Sequence, residues 1–313
     1  MRVMLAVMMA AMIILPIQAS AATGQFWDHA RYDSDGVQVN GGTIGFTTQW
    51  NLSADNNTEK IHSYHVDDMP TLVEIYTATW CTNCVTTQNI MNEAIGDSDV
   101  ELIHYHRHWF EPRDPFGSNS TEERWTTTYG HAVTLNGGAP RLAPTKVVDG
   151  ERMHYGARSN SDSLMDDYMA SLSMEETVSL SGNLSLNVSQ AANTMYFEWD
   201  LSSISIYTEA EYSLDPWILL IEEEAYFPDG SNGLEIYEHI LLEAIPLEPS
   251  GDGISSSELI LPQLWDGDDL KVAILVDWIV EKSPSQSPLP APGIVLLLSS
   301  LVAMAYVRQP RLP

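Results

Sequence analysis

The chain has 313 residues, 44% of them hydrophobic, with 43 acidic against 14 basic side chains and a formal net charge of -29. That length supports two packed domains. The charge excludes a binder of phosphate backbones, which needs clustered Lys and Arg to release counterions, and suits a chain kept soluble outside the cytoplasm.

Residues 1–22 read as an export signal: Arg2, an apolar run from Val3 to Ile17, then the small residues Ala19, Ser20, Ala21 and Ala22. Residues 23–67 are rich in Asp, Asn, Gly, Thr and Ser and show no sustained period, which predicts a mostly irregular lead-in with room for a short strand or two around Gly45 to Leu52. Asn-x-Ser/Thr sites at Asn51, Asn56, Asn119, Asn183 and Asn187 are compatible with glycosylation of an exported chain.

Order begins at residue 68. A β-rich run, Thr71 to Thr77, leads into Cys81 and Cys84, and a helix follows from about Val85 to Ile95 before Gly96. A second strand spans Val100 to His108, and a helix capped by Ser-Thr-Glu-Glu runs from Ser120 to about Tyr129. This β-α-β order predicts a parallel pair. Ala143 to Asp149 reads as a strand entering a two-residue Asp149-Gly150 hairpin that returns through Arg152 to Tyr155, and a helix from Ser161 to Leu172 closes the domain 68–173.

From 176 to 282 the texture changes to alternating strands: Val178 to Val188, Met195 to Ile206, Trp217 to Phe227, Glu235 to Ile245, Ser257 to Leu261 and Leu270 to Val280. Turn signals between them predict an antiparallel β-sandwich with Trp199, Trp217, Trp265 and Trp278 in its core or rim. A Ser/Pro linker, 283–293, precedes an apolar run from Ile294 to Val307 with Arg308 and Arg311 behind it, a hydrophobic anchor helix with a basic end over 294–313. Counted from Leu289 it reaches about 28 Å against roughly 30 Å of hydrocarbon, and the arginines favour the cytoplasmic side. This tail resembles archaeal and bacterial C-terminal sorting tails, which serve as an anchor or are removed by a sorting enzyme.

Cys81 and Cys84 are the only cysteines. A thiolate is the attacking species in disulfide exchange, and a helix start stabilises it with unpaired N–H groups and the positive end of the dipole. Cys81 stands just ahead of the helix and reads as the nucleophile. Cys84, one turn on, reads as the resolving thiol. A stapling disulfide would close a four-residue loop and contribute only about 1.9 kcal/mol by chain entropy. A closed zinc site lacks a second cysteine pair.

Thr71 to Cys84, ending in Trp80-Cys-Thr-Asn-Cys, resembles the thioredoxin superfamily's strand running into Trp-Cys-x-x-Cys, and Ala143-Pro144-Thr145 falls where that family places its cis-proline. The resemblance implies a thioredoxin-like α/β domain, a cis Pro144 against the cysteine pair, a substrate-binding surface of Trp80, Ala143, Pro144 and Thr145, and an Ala143 backbone free to pair with substrate. No metal and no cofactor is expected at this site. Thioredoxins proper carry a buried acid six residues before the first cysteine, where this chain has Ile75; Glu74 is one position off, on the opposite face of the strand. The pairing with a C-terminal sandwich also resembles an exported family first named for bacterial outer-membrane lipoproteins, through Tyr237 to Leu242 and Leu270 to Val276.

His104, His106 and His108 alternate along one strand, which opens a copper-chaperone reading with the cysteines. The alternative weighed above it is a strand end whose polar residues reach solvent beside Arg107 and Trp109. No Gly-x-Ser-x-Gly elbow or His-Glu-x-x-His helix supports a hydrolase. The expectation is therefore an exported, membrane-tethered thiol-disulfide oxidoreductase acting on protein thiols and disulfides outside the cytoplasm, with no nucleic-acid partner. The contrasting expectations are a non-catalytic binding or structural protein on the same scaffold, and the copper chaperone.

Overall fold

The structure is a computed structural model that describes residues 26–50, 59–174, 178–248, 254–260, 264–265 and 269–281. The segments expected to be an export signal (1–22), a linker (283–293) and a hydrophobic anchor (294–313) lie outside the described residues. Among the described residues no helix is long and apolar enough to cross a membrane.

The fold is mixed α/β and mostly strand. The lead-in supplies β1 (Asp28–His29), β2 (Asn40–Gln49) and β3 (Glu59–His65). Next come β4 (Thr71–Thr77), the helix Thr82–Ile95 and β5 (Val100–His106). A helix Asn119–Trp125 widens into a π-turn, Thr126–Gly130, and resumes over His131–Leu135. β6 (Thr145–Val148), β7 (Arg152–Tyr155) and the helix Leu164–Ser173 follow. The rest is strand: β8 (Leu180–Ser181), β9 (Asn183–Ala191), β10 (Thr194–Asp200), β11 (Ser205–Ile206), β12 (Tyr212–Tyr226), β13 (Ile236–Pro246), β14 (Ile254–Ile260) and β15 (Leu270–Val280). The expected β-α-β pair is parallel, Thr71 to Thr77 matching Val100 to His106. The hairpin after β6 holds three residues, not two, because Val148 pairs with Arg152.

One nine-stranded sheet runs β1-β7-β6-β4-β5-β13-β12-β15-β2. It crosses the expected domain boundary, since β13 lies parallel to β5 with Ile240 opposite His104. A four-stranded sheet, β14-β10-β9-β3, packs over its β12-β15-β2 end around Ile44, Phe46, Leu186, Phe197, Trp199, Ile218, Ile274 and Trp278. Inward and outward residues alternate along β9 and β10, as a half-buried sheet requires.

The lead-in is not mostly irregular. β2 pairs residue for residue with β15, from Asn40–Val280 to Gln49–Lys271, and β3 edges the second sheet against β9. Glycine hides β2 from a sequence reading and also permits it. A Cβ on Gly45 would stand 2.2 Å from the Ile274 carbonyl oxygen, and one on Gly42 would stand 2.7 Å from that of Asp149.

Behind the sheet, four buried charges join four separate parts of the chain. Asp277 of β15 accepts from Arg31 Nη2 and Arg124 Nη1, each at 2.7 Å, and from Thr43 Oγ1 at 2.6 Å. Arg124 also reaches Glu74 of β4 at 3.2 Å and stacks 4.7 Å from the Trp217 ring centroid. Glu74 accepts the hydroxyls of Tyr105 and Tyr129. Burial alone would raise the Asp277 carboxyl, but the guanidiniums of Arg124 and Arg31 overcome it and hold its pKa below the usual carboxylate range.

Asp277→Asn keeps the shape and leaves two buried guanidiniums short of a counter-charge. It is expected to lower stability by about 3 to 5 kcal/mol in urea unfolding near neutral pH. Because the folded pKa lies below the unfolded value of about 3.9, the wild-type advantage is present above that pH and is lost as the pH falls below it.

Candidate functional site

β4 carries the chain from the middle of the sheet to Ala78, and a tight turn closed by Cys81 N–H to Ala78 C=O at 3.0 Å delivers Cys81 to the start of the helix Thr82–Ile95. Cys81 is the N-cap. Its sulfur accepts the Cys84 N–H at 3.1 Å, a bond that N–H shares with the Cys81 carbonyl at the same distance, so a first-turn N–H points at this atom. A negative sulfur there is favoured by that N–H and by the helix dipole. Cys81 and Cys84 form a disulfide with Cα atoms 5.2 Å apart, and each is only 5% exposed.

The pair sits in its own small apolar cluster with Ala78, and Trp80 and Ala143 pack against it. Trp80 thus stands beside the cysteines as expected, with the Arg107 guanidinium 5.4 Å from its ring centroid. The Ala143–Pro144 peptide is cis. Pro144 C=O accepts from Gly156 N–H at 2.7 Å and Thr145 is fully buried in β6, whereas the Ala143 backbone enters no hydrogen bond among the described residues. The predicted site residues therefore come together, with Thr145 behind rather than on the accessible surface.

The loop ahead of Cys81 is held from two sides. Asp114 Oδ2 accepts the Thr79 N–H at 2.8 Å, and the Thr79 carbonyl accepts from the Ser231 and Asn232 amides at 3.0 and 3.1 Å and from the Tyr237 hydroxyl at 3.3 Å. The hairpin between β12 and β13 therefore grips the turn that leads into Cys81.

The histidine strand does not end in solvent. His106 is 1% exposed, its Nδ1 is 3.0 Å from Asp114, and its ring meets Phe116 edge-on. His104 is held neutral by burial and by the neighbouring His239, whose ring centroid is 5.7 Å away. His104 and His106 line a cleft of about 340 Å³ with Cys84, Gln88, Leu234 and Tyr237, and the Nε2 of each has no hydrogen-bond partner among the described residues. His108 points elsewhere, into a shallow surface pocket with Phe110 and Pro112. Among the described residues no three His, Cys, Asp or Glu side chains form a metal-holding group.

Under the helix lies a group that the sequence reading passed over. Lys146, within the wholly buried β6, is 1% exposed. Its Nζ donates to Thr87 Oγ1 at 2.7 Å and lies 5.7 Å from the Tyr168 ring centroid, with no ion pair among the described residues. Burial pushes its pKa down to about 7. A single lysine in the apolar run Thr145 to Val148 was the available signal. Thr79, Asp114, Asn232 and Tyr237 gave none, because their roles depend on a turn meeting strands far along the chain.

No protein-family model and no curated sequence matches the chain. Two solved structures are similar at 16% identity: a structural-genomics protein of Agrobacterium tumefaciens, at TM-score 0.38 over 61% of this chain and 78% of that one, and HBP35 of Porphyromonas gingivalis, at TM-score 0.40 over 72% of this chain and 78% of that one.

Unfolded lysine titrates near 10.4, so between about pH 7 and that value the unfolded chain binds more protons and wild-type stability rises with pH. Lys146→Met is expected to stabilise the protein by up to about 4 kcal/mol at and below neutral pH, shrinking toward zero near pH 10. Urea titrations across that range read both the sign and the trend.

Proposed function

We propose that the protein is a thiol-disulfide oxidoreductase built on a thioredoxin-like domain joined to a β-sandwich, exported and tethered by its C-terminal tail, and acting on protein thiols and disulfides outside the cytoplasm. The observation that carries this reading is the placement of the Cys81–Cys84 disulfide at the N-cap of a helix, with the unpaired backbone of Ala143 packed against it. The sulfur that accepts a helix N–H is the one whose thiolate is stabilised, which makes Cys81 the nucleophile. Cys84, inside the first turn, is the resolving thiol. Ala143 offers an incoming extended segment a free N–H and C=O beside the sulfurs, the mode by which a strand adds to an unpaired edge.

Exchange conserves two electrons. A substrate disulfide attacked by the Cys81 thiolate gives a mixed disulfide and one substrate thiolate; attack by Cys84 then forms the observed disulfide and frees the second. The opposite flow is the same path reversed, and the potential of the pair relative to its compartment sets the direction.

Equilibration of the described region with glutathione and dithiothreitol buffers, read by thiol alkylation, is expected to show one reversible two-electron transition. A value near about -120 mV marks an oxidant of substrates and one near about -270 mV a reductant. Cys81→Ser is expected to abolish exchange, and Cys84→Ser to accumulate mixed disulfides on non-reducing gels. Partners retained equally by both variants, without covalent capture, would replace catalysis with a binding role.

A further inference from the structure

Cys84 must lose a proton before it can attack, and its surroundings oppose that. The residue is 5% exposed, and burial disfavours a thiolate. The helix that carries it presents Cys84, Thr87 and Met91 toward the sheet, a stripe at i, i+3 and i+7. In the sheet below, Ile75 has Lys146 on one side and His104 on the other as its cross-strand partners, so these side chains share the face turned to the helix. Glu74, the neighbouring acid on β4, is on the opposite face and engaged with Arg124. The groups that meet the underside of the helix are therefore nitrogen bases.

We propose that Lys146 is the internal proton acceptor for Cys84: its buried amine, held one helical turn beneath the cysteine by the Thr87 hydroxyl, takes the proton that leaves the Cys84 thiol before that sulfur attacks the Cys81–substrate disulfide. Thr87 fixes where the amine stands. Lys146 Nζ donates to Thr87 Oγ1 at 2.7 Å, and the same hydroxyl donates to the Cys84 backbone carbonyl at 3.1 Å. The hydroxyl is thereby engaged on both sides, so it holds the amine one turn from Cys84 and does not itself relay the proton. Around it stand Tyr168 and Ser171 from the helix Leu164–Ser173, His154 from β7 and His104 from β5. Burial keeps the Tyr168 phenol protonated and both imidazoles neutral, and an amine that is neutral near pH 7 can accept where an ordinary lysine cannot.

The inference rests on the exchange reading and specifies its resolving step. Cys84 S–H gives its proton to the neutral amine, and the thiolate attacks Cys81 Sγ. The Cys81–substrate S–S bond breaks as the Cys81–Cys84 bond forms, and the substrate sulfur departs as a thiolate. Two electrons pass from the cysteine pair to the substrate disulfide, and the ammonium releases its proton to solvent.

The test does not require turnover. In Cys81→Ser, Cys84 is the sole thiol, and its rate of reaction with iodoacetamide from pH 5 to 10 reports its titration. Two coupled steps are expected with Lys146 present. Lys146→Met in that background is expected to leave a single step moved up by at least about one unit, so that alkylation near pH 7.5 slows about tenfold or more. Thr87→Val, which keeps the shape and removes the hydroxyl, is expected to move it in the same direction by less. A profile unchanged by both substitutions, or moved instead by His104→Gln or His106→Gln, would overturn the proposal. Loss of exchange in the wild type with this profile intact would defeat the oxidoreductase reading alone.

Discussion

Everything about this fold depends on the mutual neutralisation of Arg31, Arg124, Glu74 and Asp277, all of them buried. Two guanidiniums face two carboxylates from four parts of the chain, and the remaining lone pairs are taken by Thr43, Tyr105 and Tyr129. Desolvating such groups costs several kcal/mol per ion, and the cost is offset only when all partners are present together. The cluster therefore favours one arrangement of lead-in, central strands and final strand, and disfavours alternatives that leave any member alone.

That constraint shapes the turn before Cys81 indirectly. Because the last strands are fixed against the central sheet, the β12–β13 hairpin is fixed as well, and its amides reach the Thr79 carbonyl two residues before Cys81. Asp114 takes the Thr79 N–H from the other side. Holding both polar groups of one peptide neighbour leaves the turn little freedom, so Cys81 meets the helix terminus in a set orientation. The large C-terminal part thus reaches the cysteine turn through this hairpin, and its Glu224 and Glu238 line the same cleft as Cys84.

Much of this was legible in the sequence. Thr71 to Thr77, the cysteine pair and the C-terminal strands carry their own periodic or motif signal, and strand alternation alone put Glu74 on the far face. The lead-in was not legible, since Gly41, Gly42 and Gly45 erase the pattern that would mark β2 while serving the close approach of β15 and the loop after β6. The helix read as ending near Tyr129 continues to Leu135 through a wider turn, because Thr126 and Thr127 return their hydroxyls to carbonyls of the preceding turn. His106 looked like a solvent-facing strand end. Its burial depends on Asp114, Phe116 and Tyr237, whose approach no local pattern announces.

The pairing of β2 with β15 sets an order of events. The strand at Asn40–Gln49 has its partner at Leu270–Val280, so it stays without those main-chain bonds until that distant strand has been made. The hairpin that grips Thr79 is also a late arrival. An emerging chain that has reached the end of the helix Leu164–Ser173 carries both cysteines but neither the clamp nor the closing strand, so the pair acquires its finished setting only after Leu270–Val280 has emerged.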